Sequence, residues 1–271
     1  PDLTDYNMMD AATKLETEWR AGLYSPTNAA QMNLYNKYRR NVLGGVDTYW
    51  LSKPLRTAIL HRHSVSVAGG TDVFRYSLDV NASMQPGVMK GSENRNMGAN
   101  FNMTYMKENF TMRASVSLAE SNSKNSPYGS FSQYTRLNPY YIPEDANGKQ
   151  LKILDNNTVS GQSKIITNPL YDATVGINDA ANSLSVTTSL SLEYMLLKNL
   201  RITEQLNYSR GMAGTDKFTP ADHTSFELED DLTRKGSYFK SSGNMSSWSS
   251  NLGINYNFVR GDHLFSAFGI A

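Results

Sequence analysis

The sequence predicts an all-β chain: a segment of an antiparallel transmembrane β-barrel, with a short helical region in front of it. Three observations predict this. Side chains alternate with period 2 over segments of about ten residues, connections alternate between short and long, and aromatic residues gather near segment ends. Composition agrees. Hydrophobic residues make up 39% of the 271 and aromatic residues 11%, which suits a wall whose alternate side chains alone meet lipid. No apolar run approaches the roughly 18 residues of a spanning helix. Membrane passage therefore requires a closed barrel, which satisfies backbone polar groups between strands.

The helical region covers residues 1–57. Ala11, Leu15 and Trp19 recur at i, i+4 and i+8 among Lys14, Glu16, Glu18 and Arg20, and Gly22 stops that helix. Ser25-Pro26 reads as an N-cap followed by proline at the first helical position. The second helix runs to about Arg40 with Ala30, Leu34 and Tyr38 on one face, and Gly44-Gly45 ends it.

Residues 58–271 carry the strands. Phe74, Tyr76, Leu78, Val80, Ala82 and Met84 share one face and Arg75, Ser77, Asp79, Asn81 and Ser83 the other. Met97, Ala99, Phe101, Met103 and Tyr105 oppose a row of Asn, Gly and Thr. The pattern recurs from Phe110 to Leu118, from Leu190 to Leu196, from Leu200 to Tyr208 and from Trp248 to Phe258. With 63–70 before and 263–271 after, about eight strands result. Short turns fall at 69–72, 107–109, 197–199 and 260–262; longer loops fall at 85–95, 121–183 and 211–245. Short turns at one rim and long loops at the other mark an outer-membrane barrel, with the short side periplasmic. Tyr76, Tyr105, Tyr194, Tyr208, Tyr256 and Trp248 are placed as an interfacial girdle. Glu204 breaks the apolar face between Ile202 and Leu206. A bulge, a position near the interface, or a phase error there would account for it.

Several segments resemble the SusC/RagA family. They include His63-Ser-Val-Ser-Val-Ala-Gly-Gly-Thr71, Tyr76-Ser-Leu78, Gly87-Val88, Lys14-Leu15-Glu16, Gly22-Leu23-Tyr24 and Asp47-Thr48-Tyr49-Trp50. Asn138-Pro139-Tyr140-Tyr141, Asn147-Gly148 and Asn168-Pro169-Leu170 resemble loop motifs of the family. Their order along the whole chain carries the resemblance. It implies a TonB-dependent transporter in the outer membrane of a Gram-negative bacterium. Such a transporter imports an oligosaccharide or peptide with a SusD-like surface lipoprotein and draws energy from the TonB complex. It further implies a plugged barrel of roughly 22 strands. This chain would hold the first half of it, residues 1–57 would be an extracellular loop region, and the plug and TonB contact would lie outside the sequence. Pro1 is preceded by no Met or signal peptide, so the chain reads as a fragment or trimmed piece.

Two residue sets are candidates for function. Arg75, Asp79, Arg113, Glu193 and Arg201 lie on the polar strand face, which in a barrel faces the lumen and its plug. Tyr128, Phe131, Tyr134, Tyr140, Tyr141 and Tyr171 lie in the longest loop. Loop aromatics can stack on sugars or grip a peptide. They also pack a long loop or meet a lipoprotein, and that reading is the preferred one.

Other chemistries find little support. The net charge of +1 argues against a dedicated nucleic-acid binder, which needs a strong cationic excess. Without cysteine there is no disulfide, thiolate metal site or cysteine nucleophile. His61 and His63 lack a third ligand, and Glu227, Glu229, Asp230 and Asp231 read as a solvated charge run. Asn81, Asn102 and Asn207 open N-x-S/T triplets by accident of an Asn/Ser-rich face. With no G-x-S-x-G, P-loop or H-E-x-x-H, no enzyme and no cofactor are expected. The alternatives are a soluble or fibrous β-rich adhesion protein, a passive porin and, last, an outer-membrane enzyme.

Overall fold

Period-2 side chains and alternating connections build one meander. The computed structural model describes residues 2–159, 162–260 and 262–270. Pro1, Gly261 and Ala271, expected at the chain ends and in the last turn, lie outside the described residues. The strands are β1 (His61–Gly70), β2 (Phe74–Pro86), β3 (Glu93–Lys107) and β4 (Phe110–Lys124), then β5 (Ile153–Val159), β6 (Gln162–Thr167) and β7 (Asn178–Leu197), then β8 (Leu200–Thr219), β9 (Ser237–Arg260) and β10 (His263–Ile270). Eight form a sheet in the order β1-β2-β3-β4-β7-β8-β9-β10, every pair antiparallel. β5 and β6 form a separate hairpin inside the longest loop, which the sequence reading missed.

Meander topology puts all the short turns at one end and the connections 87–92, 125–177 and 220–236 at the other. Those loops are shorter than expected because the strands that bound them run on, most of all β7, β8 and β9 with 20, 20 and 24 residues. The added lengths put Asn182, Gly214, Asp216, Lys240 and Ser242 on the face that is apolar lower down. Hydrophobic alternation is therefore missing there, and polar cross-strand pairs such as Lys217 with Asp179 and Asn178 with Asp216 join the backbone ladder.

The apolar face has a sharp shape. Its upper limit is Met84 on β2, Met97 on β3, Leu118 on β4, Leu184 on β7, Met212 on β8 and Trp248 on β9. At the lower limit stand Phe74, Tyr105, Phe110, Tyr194, Phe258 and Phe265, a row of aromatics. The band is not level with the hydrogen-bonded rows. Through the ladder Trp248 pairs across to the level of Leu78, and Leu252 to that of Phe74, so both limits slide six residues over the five steps from β2 to β9. At strand rise and spacing that slope means a tilt of about 40°, within the barrel range. A band of constant height on tilted strands is what a hydrocarbon slab selects.

The opposite face is polar and internally bonded. Ser66, Asp79, Asn100, Ser117, Thr187, Ser209 and Ser247 share one row. Within it Ser66 Oγ donates to Asp79 at 2.5 Å, Ser117 Oγ to Asn100 at 2.7 Å, and the Ser209 and Ser247 hydroxyls meet at 2.7 Å.

The first turn needs glycine. Gly70 has φ +139°, and a Cβ there would stand 2.1 Å from the Phe74 carbonyl oxygen. Gly70→Ala is expected to cost about 1–3 kcal/mol of barrel stability through that strain. A lowered temperature for the folded-to-unfolded gel shift of the full-length protein would show it; an unchanged temperature would contradict it.

Helices α1 (Ala11–Arg20) and α2 (Ala29–Leu43) precede the sheet. The cap of α2 is Asn28 rather than Ser25-Pro26: its side chain accepts from the amides of Ala30 and Gln31, three residues later than expected. On α1 the buried face is Ala11, Leu15 and Glu18; Trp19 is 36% exposed and lies on the Tyr35 ring at 4.6 Å. On α2 Tyr38 is buried, Leu34 half-buried and Ala30 exposed.

Candidate functional site

At the long-loop end, segments distant in sequence pack into one layer whose core is aromatic. Tyr24, Tyr38, Trp50, Tyr134, Tyr140 and Tyr141 are buried there with Leu51, Leu137, Leu154 and Leu170. The Tyr38 and Tyr140 rings stack at 4.3 Å, and Tyr140 meets Tyr141 edge-on at 5.1 Å.

Four buried polar side chains fix the layer, and hydrophobic periodicity marks none of them. Glu18 accepts the Tyr24 hydroxyl at 2.8 Å and the Tyr140 hydroxyl at 3.0 Å, with the Lys14 ammonium at 3.2 Å. Asp155, 2% exposed, accepts the Tyr38 hydroxyl and pairs with Lys37 at 2.5 Å, which ties α2 to the β5–β6 hairpin. Asn168 donates to the Leu151 carbonyl at 2.7 Å and accepts the Leu170 amide at 3.0 Å. The Asn168-Pro169 pair, an N-cap before proline, was a signal for it. Asp172 accepts both the amide and the hydroxyl of Thr224, at 2.9 and 2.6 Å, holding the 220–236 loop. Lys152 pairs with Glu227 at 2.7 Å, and that hydrogen bond keeps its ammonium above the ordinary lysine range.

The connection before β1 joins the same layer. The Thr48 amide donates to the Pro139 carbonyl at 2.8 Å and Trp50 Nε1 to the Asn138 carbonyl at 2.8 Å. Arg56 donates to the Gly87 and Ser92 carbonyls at 3.1 and 2.8 Å, and Lys90 Nζ to the Lys53 carbonyl at 2.7 Å. Helices, hairpin and all three long connections thus form one platform over one sheet end.

The predicted loop aromatics divide. Tyr134, Tyr140 and Tyr141 are buried and give their rings to the core. Tyr128, Phe131 and Tyr171 are half-buried and keep accessible ring surface. Tyr128 lines a notch of about 310 Å³ with Lys53, Lys90, Glu144, Gln150, Leu170 and Thr174. Its ring carries the Lys90 ammonium 5.9 Å from the centroid. The notch joins cations, a carboxylate, an amide and an aromatic face, groups suited to a polar ligand with a flat or apolar part.

Arg75, Asp79, Arg113, Glu193 and Arg201 all fall on the polar sheet face by register. Arg201 and Glu193 stand 3.8 Å apart. Arg75 and Arg113 both oppose Thr104, near the short-turn end. Glu204 is on the apolar face, in phase, without a bulge, and halfway between Leu200 and Tyr208. None of the three explanations expected for it applies; instead Ser250 Oγ, on the same face, donates to it at 2.7 Å. His61 and His63 are exposed on that face, and among the described residues no group of three side chains is arranged to hold a metal ion. In the acidic run, Glu227 pairs with Lys152, Glu229 lies 3.9 Å from Arg234, and Asp231 caps Thr233. No described helix is long and apolar enough to cross a membrane.

Burial lifts the hydroxyl pKa of Tyr24, Tyr38, Tyr134 and Tyr140 well above the ordinary 10.0. Glu18 adds to the rise at Tyr24 and Tyr140, and Asp155 at Tyr38. The folded layer holds these phenols protonated, whereas the unfolded chain ionises near 10.0. Their stabilisation is whole below that pH and falls as pH climbs past it. The loop layer is expected to open cooperatively in that alkaline window, with a late step in tyrosinate absorbance. A single transition at the ordinary pKa, with the layer intact, would contradict this.

No protein-family model and no curated protein matches the sequence. Solved structures do match in fold. The RagAB peptide transporter aligns with TM-score 0.69 at 16% identity, over 95% of this chain and 31% of that one. The RagAB peptide importer in its "open-open" state aligns with TM-score 0.70 at 16% identity, over 99% and 32%. The chain spans about a third of the length of these structures, and the likeness takes in strands and loop layer alike.

Proposed function

We propose that this chain is wall and outer platform of a TonB-dependent nutrient importer in the outer membrane of a Gram-negative bacterium. The observation that carries the reading is the apolar band, which keeps constant height across strands tilted by about 40°. A soluble sandwich packs its apolar face on a second sheet; here large side chains such as Val65, Met97 and Trp248 remain 58–79% exposed. The fold shared with the RagAB structures supports the same reading.

The parts then divide as follows. The loop platform, with Tyr128, Phe131 and Tyr171, meets an oligosaccharide or peptide and a SusD-like lipoprotein. The polar face lines the lumen, where Arg75, Asp79, Arg113, Glu193 and Arg201 meet water, plug or passing substrate. Energy for opening comes through the TonB complex by parts of the protein beyond this sequence. The protein binds and translocates and catalyses no bond change.

The experiment is purification of the full-length protein from outer membranes. It is expected to need detergent, to show the heat-dependent gel shift of a closed barrel, and to bring a lipoprotein with it. Cells lacking the protein should lose uptake of one labelled oligosaccharide or peptide class. A protein soluble without detergent, or unimpaired uptake of both classes, would refute the proposal.

A further inference from the structure

Arg210 lies outward near the top of the apolar band on β8, between Tyr208 below it and Met212 above it. Its row neighbours are Val186 on β7 and Ser246 on β9, and Trp248 lies beside Tyr208 one row lower. The side chain is exposed and has no hydrogen-bond or ion-pair partner among the described residues. No carboxylate on its own strand is near: Glu204 and Asp216 each lie six residues away along β8, about 20 Å. Glu120 is two strands away on the next row and already accepts Asn122 Nδ2 at 2.7 Å. The corresponding cation on β3, Arg95, is paired with Glu93 at 3.1 Å. Arg210 is thus a lone guanidinium on the lipid-facing wall, one outward position below Met212, the last apolar residue of the band on its strand, with a serine hydroxyl beside it and two aromatic rings below.

A guanidinium there needs an anion that arrives from the bilayer. Phosphate accepts from it in a bidentate manner. The rings of Tyr208 and Trp248 suit the boundary where headgroup gives way to acyl chain. We propose that Arg210, with Ser246, Tyr208 and Trp248, forms a site for the phosphate of an outer-leaflet lipid. The site rests on the barrel reading, which sets this face against lipid and this end outward.

The test uses the full-length protein with Arg210→Gln and Arg210→Lys variants, each first checked for the barrel's gel shift. Native mass spectrometry reads retention of bis-phosphorylated lipid A against the same lipid dephosphorylated. The parent should retain the phosphorylated form about three- to tenfold better than Arg210→Gln, the size of one charge-assisted contact, with Arg210→Lys, a cation without the fork, between the two. Equal retention by Arg210→Gln, or no preference for phosphate in the parent, overturns the site while the gel shift still upholds the barrel. A parent that never shows the shift overturns both.

Discussion

Arginine in place of Leu78 is expected to destabilise the folded barrel by about 2–4 kcal/mol, whereas Met84→Arg on the same strand costs about 0–1. Leu78 is on the apolar face near mid-band, paired across to Val67 and Phe101. A cation there faces hydrocarbon with no partner and a long reach to either interface. Met84 is the last apolar residue of that strand face, where a long side chain can snorkel. The measurement is equilibrium unfolding of the full-length protein in lipid vesicles for the parent and both variants. A gradient with depth is the signature of a slab of lipid. If Leu78→Arg cost no more than Met84→Arg, the band would not be a hydrocarbon contact, and the reading of the apolar face would fall.

The second large effect belongs to the loop platform. Asp155→Ala leaves the buried Tyr38 hydroxyl without its acceptor and frees Lys37, whose side chain is 45% exposed and recovers solvent. Discounting the lysine, the loss is about 2–3 kcal/mol, most of it the unsatisfied hydroxyl and the lost charge-assisted bond. Hydrogen exchange in α2 and the β5–β6 hairpin should quicken about 30- to 150-fold, while the sheet holds its protection. Tyr38→Phe should cost less, because it removes the hydroxyl together with its need for an acceptor. The double variant should fall short of the sum. Unchanged exchange in α2 with Asp155→Ala would show that the pair does not hold the layer.

These two regions differ in how much of them can be read from residue order. Strand phase was legible wherever lipid enforces alternation, from Phe74 to Met84 and from Leu200 to Tyr208, because a one-residue slip would turn every apolar side chain inward. Above Tyr208 the outward residues become Arg210, Met212, Gly214 and Asp216, the regular apolar alternation breaks down, and the strand nevertheless continues. The loop platform was legible only as a collection of aromatics. Tyr134 and Tyr171 stand in one loop with the same side chain, yet one is buried and the other half-buried. The cluster that takes in Tyr134 draws Tyr38, Trp50 and Leu51 from other parts of the chain, so its burial is not set by local sequence alone.

By itself, then, the sequence determined the eight-strand meander, the two faces of its six inner strands, the short-turn end and the polar wall carrying Arg75 and Arg113. These follow from local periodicity and turn chemistry, which act within a few residues. The tertiary structure decided the slope of the apolar band, the central position of Glu204, the β5–β6 hairpin and the burial of Glu18, Asp155, Asn168 and Asp172. Each of those depends on which distant segments meet: strand stagger on ladder register summed over the sheet, and polar burial on acceptors and donors as far apart as Tyr38 and Asp155. A buried charge is tolerated only where a partner waits for it, and that partner has no fixed spacing in the chain.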